Sequence, residues 1–334
     1  MSDLPASIRI TEEGPREGFQ IEPRPISTGN KVRFIQALAK TGVSTIQVCS
    51  FVSPRRVPGW ADADEVVRAL SPEAGVRYTA LWFNAQGIDR AIAHRDTLSL
   101  IGTIHTVASE PFCQSNLRRS LAENRAAMHQ QCAAHRRAGI RVSKISVMAA
   151  FGCNFAGDLT VDDALKAVDD GMQIAVDCGE HISEIALADT MGWANPLQIQ
   201  RVVCEVRSRW PDPAIRLHLH DTRGLGIANA YAGLCCGVNR FDSTVGGLGG
   251  CPFAVSGASA SASARQGMPP GNIASEELVL LAHECGVETG VDLEALIDAG
   301  HLAEELIGHG LPGAVLRGGS LARFRNAAIR GTSA

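Results

Sequence analysis

His218-Leu219-His220-Asp221-Thr222 places two imidazoles two residues apart. It follows Ala214-Ile215-Arg216-Leu217, a run that reads as a strand. Residues two apart in a strand share a face, so both rings point the same way. Imidazole nitrogen binds Zn, Fe, Ni or Cu, and sites that mix His with carboxylate also take Mg or Mn. The expectation is a divalent cation at a strand end, and with it an enzyme. Arg16-Glu17, past the first apolar run, offers the rest of such a site. A carboxylate with two histidines leaves open positions for substrate. Arg16 adds a fixed fork of donors for a carbonyl or carboxylate. The same pair could equally be a solvated loop pair.

Other polar residues follow other apolar runs. Gln47 and Ser50 could reach a shared mouth or pack behind it. Asn84 reads as a helix cap. Ser109, Glu110 and Asn116 are candidates for holding a substrate, or for hydrogen bonds within their own loop. In Ala188-Asp189-Thr190-Met191-Gly192, Asp189 is either a proton-transfer group or the cap of the next turn, and Thr190 a substrate donor. An acid after an apolar strand is costly to bury unless paired. Asp221 either orients an imidazole or caps the following helix. In Val245-Gly246-Gly247-Leu248-Gly249-Gly250-Cys251-Pro252, paired glycines bring bare backbone close to another group. A thiol of pKa near ~8.5 is mostly protonated at neutral pH, so Cys251 could serve as an acid or a nucleophile. Asn272 could offer a carbonyl oxygen to a metal or simply cap a helix. His283 and Glu284 read as surface residues.

Short β-like runs alternate with helical patterns in the elements that must carry these groups. Strands are expected at Ile8–Thr11, Thr45–Cys49, Arg77–Trp82, Thr97–His105, Arg141–Met148, Glu184–Ala188, Ile215–His220 and Phe241–Thr244. Helices are expected at about 27–41, 60–70, 85–94, 117–138, 160–178, 195–209 and 224–237. Thr160 and Asn195-Pro196 read as helix starts, and Gly139 as a stop after a basic last turn. With a last barrel helix opening at Pro270-Gly271-Asn272, eight strands each followed by a helix in about 280 residues is the count of an α/β (β/α)8 TIM barrel. A doubly wound open sheet competes. However, Glu13-Gly14-Pro15-Arg16-Glu17-Gly18 is no phosphate loop, and the polar residues gather at strand C-termini, where barrels place their chemistry. A single domain is expected, with a barrel over about 7–288 and extra C-terminal helices over about 289–334. Ser256–Ser263 and Met268–Gly271 read as a small-residue loop.

The 334 residues carry a net charge of -4 and a pI of about 6.2, which argues against nucleic-acid and anionic-membrane partners. No apolar run approaches the ~18 residues of a membrane span. The ten cysteines show no CxxC spacing and read mainly as small buried hydrophobes of a reducing compartment. With no signal pattern at Met1–Pro5, the expected location is cytoplasmic.

Together these residues resemble the 3-hydroxy-3-methylglutaryl-CoA (HMG-CoA) lyase family, within the metal-dependent lyase and Claisen-synthase superfamily of TIM barrels. The matching stretches are Glu13–Gln20, Ser50–Pro54, Phe151–Cys153, Asp189–Gly192, His218–Thr222 and Gly246–Pro252, in order over about residues 8–300. The resemblance implies metal ligation by Glu17, His218, His220 and Asn272, with Mg2+ or Mn2+ ahead of Zn2+. It implies Arg16 on a thioester carbonyl, Asp189 in proton transfer, His218 and Cys251 in catalysis, and Gln20, Gln47, Ser50, Asn116 and Thr190 around the substrate. The implied partner is an acyl-CoA thioester, and the implied assembly a homo-oligomer. Three departures stand out. Glu17 replaces an Asp typical of the lyases, and the related synthases use Glu there. Gln47 replaces a catalytic Glu. A Ser/Ala-rich stretch at about 256–271 separates Cys251 from Asn272. The implied reaction is retro-Claisen cleavage of an HMG-CoA-like thioester to acetyl-CoA and a keto acid. Citramalyl-CoA cleavage, a longer 3-substituted glutaryl-CoA, and Claisen-type synthesis are the alternatives.

Overall fold

A computed structural model of the chain describes residues 4–250, 271–322 and 324–325. Eight parallel strands run in chain order: β1 (Arg9–Glu12), β2 (Thr45–Ser50), β3 (Arg77–Leu81), β4 (Gly102–Val107), β5 (Val142–Met148), β6 (Glu184–Ala188), β7 (Ala214–His218) and β8 (Arg240–Ser243). Each pairs with its chain neighbours, and β8 pairs with β1. Between β3 and β4 the contact narrows to one parallel bridge, Tyr78 to Leu98, with Ser99 N donating to Tyr78 O at 2.8 Å. This closes the (β/α)8 barrel.

Helices α1 (Thr28–Ala39), α2 (Ala63–Ala69), α3 (Ala85–Ile92), α4 (Leu121–Arg137), α5 (Val161–Asp177), α6 (Pro196–Arg209), α7 (Gly226–Cys235) and α8 (Ser275–Glu284) follow the strands. Their starts obey local chemistry. Thr160 and Asp163 form a reciprocal capping box, and Asn195 caps a helix whose first residue is Pro196. The helix expected over 117–138 begins later. Glu110–Leu117 is a separate short helix, ended by Arg118 in the left-handed conformation, and Ser120 with Glu123 caps a new start. The strand expected from Thr97 begins at Gly102, because Leu98 contributes only the bridge. After residue 288, α9 (Leu293–Ile307) packs on α1, and α10 (Ala314–Gly318) packs on α8 and α9.

The strand alternation sorts side chains in an unusual way. Ile10, Ile46, Tyr78, Ile104, Ile145, Ile185, Leu217 and Phe241 face the helices and lie within one buried apolar cluster. Their neighbours Thr11, Gln47, Thr79, Thr103, Lys144, Glu184, Arg216 and Asp242 face the lumen. Barrel interiors are ordinarily filled by Val, Ile and Leu. Here the apolar packing lies between sheet and helices, and the lumen is polar.

Beneath the glycine-rich loop lie two buried acids. Glu12 accepts from Gly14 N (2.8 Å), Val245 N (3.0 Å) and Ser275 Oγ (2.5 Å), and burial pushes its carboxyl up to about 7. Glu276 accepts from Gly246 N at 2.9 Å, its second oxygen is buried without a hydrogen bond, and burial pushes it up to about 8. A carboxyl raised in the fold favours the protonated state. Its contribution is complete below the unfolded pKa and is lost as pH rises through the folded value. The urea midpoint should therefore fall between pH 5 and pH 9, and Glu276→Gln should flatten that decline. An equal slope in the variant would remove Glu276 from the explanation.

Candidate metal centre

The first ligand comes from a tight turn. Gly14–Gly18, after β1, forms a single π-helical turn with Pro15 near its start. Such turns recur at functional sites. Trp60, fully buried, pins it by donating from Nε1 to Arg16 O at 2.9 Å. Arg16 and Glu17 thereby reach the mouth of the lumen. Arg16 donates to Glu17 Oε1 at 2.7 Å and also contacts Glu13 and Gln47.

Across the mouth, His218 ends β7 and His220 lies just past it, bridged to Asn272. Their Nε2 atoms face each other at 3.2 Å, and His218 Nε2 lies 3.8 Å from Glu17 Oε1. One ligand atom each from Glu17, His218 and His220 falls within 4.8 Å of the others. Ligands ~2.1 Å from one cation and at right angles to it stand ~3 Å apart, so two imidazoles and a carboxylate at this spacing suit a divalent ion. Asn272 Nδ2 donates to Glu17 Oε2 at 2.5 Å and to Leu248 O at 3.0 Å. Its amide thus touches the carboxylate, in the arrangement of an orienting group.

The electrostatics set the two rings apart. Burial works against charge on His218, but the hydrogen bond to Asp242 and the charges of Glu17 and Glu13 hold it up to about 9. Burial and the neighbouring His218 push His220 down to about 3. Burial also opposes charge on Glu17, yet Arg16, His218 and His220 bring it down to about 2. One positive charge is thus held between two imidazoles and a carboxylate. A bound cation would take that place, with neutral imidazole and ionised carboxylate as the ligand form.

Two further acids escaped sequence reasoning. Asp242 Oδ2 lies 3.4 Å from His218 Nδ1, and Glu13 Oε2 lies 3.7 Å from the same atom. Asp242 is the register partner of His218 on the adjacent strand, and Arg216 holds its other oxygen at 2.7 Å. The sequence offered half of a signal: Phe241-Asp242-Ser243 is an acid inside an apolar strand, and buried acids need a partner, but which residue is the partner depends on strand neighbours.

A cavity of about 210 Å³ opens at this end of the lumen and is lined by Glu13, Arg16, Glu17, Gln47, His105, Thr190 and His218, among others. His105 was not singled out by its sequence. It is buried against Phe83, and burial with nearby Lys144 pushes it down to about 3, so it faces the cavity as neutral imidazole. Other expected site residues do not line this cavity. Asn116 is exposed on the Glu110–Leu117 helix. Gln20 is half-buried on the short Phe19–Ile21 helix, off the cavity lining. Ser50 is fully buried with an unpartnered hydroxyl and also lies off the lining. Asp189 is fully buried and accepts from Trp193 N (2.7 Å) and Ala194 N (3.1 Å). Those bonds make it the anchor of its turn, though burial pushes it up to about 6. Asp221 accepts from Gly226 N at 2.6 Å, at the start of α7, rather than from an imidazole. Ser109 caps the Glu110–Leu117 helix, and Glu110 accepts from Leu121 N at 2.9 Å. Cys251 lies outside the described residues.

The glycine-rich loop packs directly on the ligand pair. A Cβ on Gly249, whose φ is +90°, would stand 2.7 Å from Glu17 Cβ and 2.9 Å from Asn272 Nδ2. Gly249→Ala is therefore expected to weaken divalent-metal binding by at least about tenfold, through displacement of Glu17. Unchanged metal affinity, measured by titration, would show that the loop does not set the ligand.

A family model described as HMGL-like matches residues 7–303. The chain belongs to the HMGL-like family. Members are metal-dependent, and Glu17, His218 and His220 form a possible metal site in this one. Over 308 residues it is 33% identical to hydroxymethylglutaryl-CoA lyase YngG of Bacillus subtilis, covering 92% of this chain and 96% of that protein. It is 35% identical over 327 residues to (R)-citramalyl-CoA lyase of Chloroflexus aurantiacus, covering 94% and 95%. An HMG-CoA lyase from Acinetobacter baumannii, solved with coenzyme A and 3-methylmalate, superposes with a TM-score of 0.82 at 32% identity, covering 96% of this chain and 98% of that one. This HMGL-like chain is an enzyme of the HMG-CoA lyase type. No described helix is long and apolar enough to cross a membrane.

Proposed function

We propose that the chain cleaves the carbon–carbon bond of an HMG-CoA-like thioester to acetyl-CoA and a keto acid. Mg2+ or Mn2+ would be held by Glu17, His218 and His220, with Asn272 beside them. The observation that carries this reading is the Glu17–His218–His220 group, of which Glu17 and His218 line one cavity together with Arg16.

When bound, the divalent ion lowers the pKa of the substrate's tertiary alcohol. The chain's own residues supply the remaining steps. A base takes the hydroxyl proton, the oxygen's electrons form the ketone, and the adjacent carbon–carbon bond breaks. Its electron pair leaves on the acetyl-CoA fragment as an enolate. Arg16, already held in place by Glu13, Gln47 and Glu17, directs its guanidinium at the thioester oxygen where charge develops. Gln47 carries no proton to exchange. Glu13 shares Arg16 with it, lies 3.7 Å from His218 Nδ1 and is raised by burial, so we assign the missing carboxylate's part to Glu13. Asp242 orients His218. Thr190 is the donor toward the keto-acid end, and Cys251 the acid that returns a proton to the enolate carbon.

A second substrate, citramalyl-CoA, is favoured by one feature. Gln47 places a neutral amide on Arg16, so the surroundings of the substrate differ from those of a lyase with Glu there. The test is a panel of 3-hydroxyacyl-CoA thioesters with Mg2+ or Mn2+, following acetyl-CoA. Cleavage of HMG-CoA or citramalyl-CoA supports the reading. Free CoA released from acetyl-CoA plus a 2-keto acid, with no cleavage, would replace it with a synthase.

A further inference from the structure

The opposite end of the lumen holds a second cavity, of about 370 Å³, at the N-terminal ends of the strands. Strand register lines three arginines across it. Arg9 on β1 pairs with Arg240 on β8, and Arg240 pairs with Arg216 on β7. Like charges on register neighbours repel. Arg77, at the start of β3, and Lys144, on β5, face the same space. Compensation is thin. One carboxylate, Glu184, is shared among Arg216 (2.7 Å), Arg240 (2.5 Å) and Lys144 (3.4 Å). Asp242 also holds Arg216, and Glu13, the other carboxylate on the lining, holds Arg16. Arg9 and Arg77 make no ion pair among the described residues. Thr45, Thr79, Ser143 and Ser183 add hydroxyls to the wall. A concavity lined by one sign of charge concentrates the opposite ion, and guanidinium forks with hydroxyls are the donors that suit phosphate and carboxylate oxygens.

We propose that this N-terminal mouth of the barrel binds a small polyanion, a phosphate group or a polycarboxylate. The bound anion relieves the Arg9–Arg240–Arg216 row by bridging it. The arginine row lies at the opposite end of the lumen from the candidate metal ligands, the two cavities meeting at Glu13, Gln47 and Lys144, and binding at that row does not depend on the proposed reaction. The test is thermal unfolding of the metal-loaded protein with inorganic phosphate, tricarballylate or acetate at matched ionic strength. Phosphate, tricarballylate or both should raise the midpoint by roughly 2–5 °C at saturation, and acetate should not. The pattern across the two polyanions tells which chemistry the mouth prefers. An Arg9→Gln/Arg77→Gln double variant should lose the rise while keeping its thioester-cleavage rate in anion-free buffer. Equal rises in parent and variant, an equal effect of acetate, or no rise with either polyanion would overturn the proposal.

Discussion

His220→Ala is expected to leave a folded barrel that no longer binds a divalent metal stoichiometrically, with affinity reduced at least about 100-fold and acetyl-CoA release lost with it. His220 is 3% exposed and its Nε2 stands 3.2 Å from His218 Nε2, so its truncation removes a donor from the middle of the buried group. Disturbing a group that merely supports a metal ligand already costs about 10–100-fold in affinity, and removing a ligand costs more. Metal content after equilibrium dialysis measures the first effect, and circular dichroism checks the fold. A variant retaining one metal per chain would sink the ligand set.

Glu13→Gln is expected to lower kcat by about 10²–10⁴, the usual range for a proton-transfer group, with metal content unchanged. The amide keeps the contact with Arg16 but cannot take a proton. Glu13 and Gln47 sit on the same guanidinium, so Gln47→Glu added to the Glu13→Gln background should recover part of the loss. Full activity in Glu13→Gln would mean that the proton leaves by another route. Failure of the second change to rescue would mean that position, and not merely a carboxylate beside Arg16, is what matters.

The strands were readable because their outward faces are apolar and their ends polar. Glu184–Ala188 emerges with the bounds expected of it, and β5 begins one residue later than expected. The two histidines were readable for the same reason, since spacing within one strand fixes which residues share a face. Glu13 and Asp242 were not. Their significance depends on which strands are neighbours and in what register, and nothing local to Phe241-Asp242-Ser243 says that β8 lies beside β7 with Asp242 level with His218. Residues on loops and short helices were harder still. Asn116 rides a helix that Arg118 ends in a left-handed turn, which carries it into solvent. Asp189 and Asp221 show the ambiguity of an acid at a strand end. Both accept from nearby backbone N–H groups, a structural use that sequence alone does not separate from a catalytic one.

The close approach of Gly250 and Gly271 bears on how this enzyme could be re-engineered. A Cβ on Gly271 would stand 2.1 Å from Gly249 O, and one on Gly250 would stand 2.7 Å from Gly271 Cα. The described backbone on either side of residues 251–270 therefore meets at a single point. The entropy of joining two fixed points of a chain grows only with the logarithm of the number of residues between them. Cys251 and the Ser/Ala-rich run both lie in the sequence between these two glycines, so a change in its length costs little at the junction itself. Replacing residues 251–270 with the corresponding stretch of another family member is therefore expected to keep the Gly250–Gly271 junction, provided both glycines are retained.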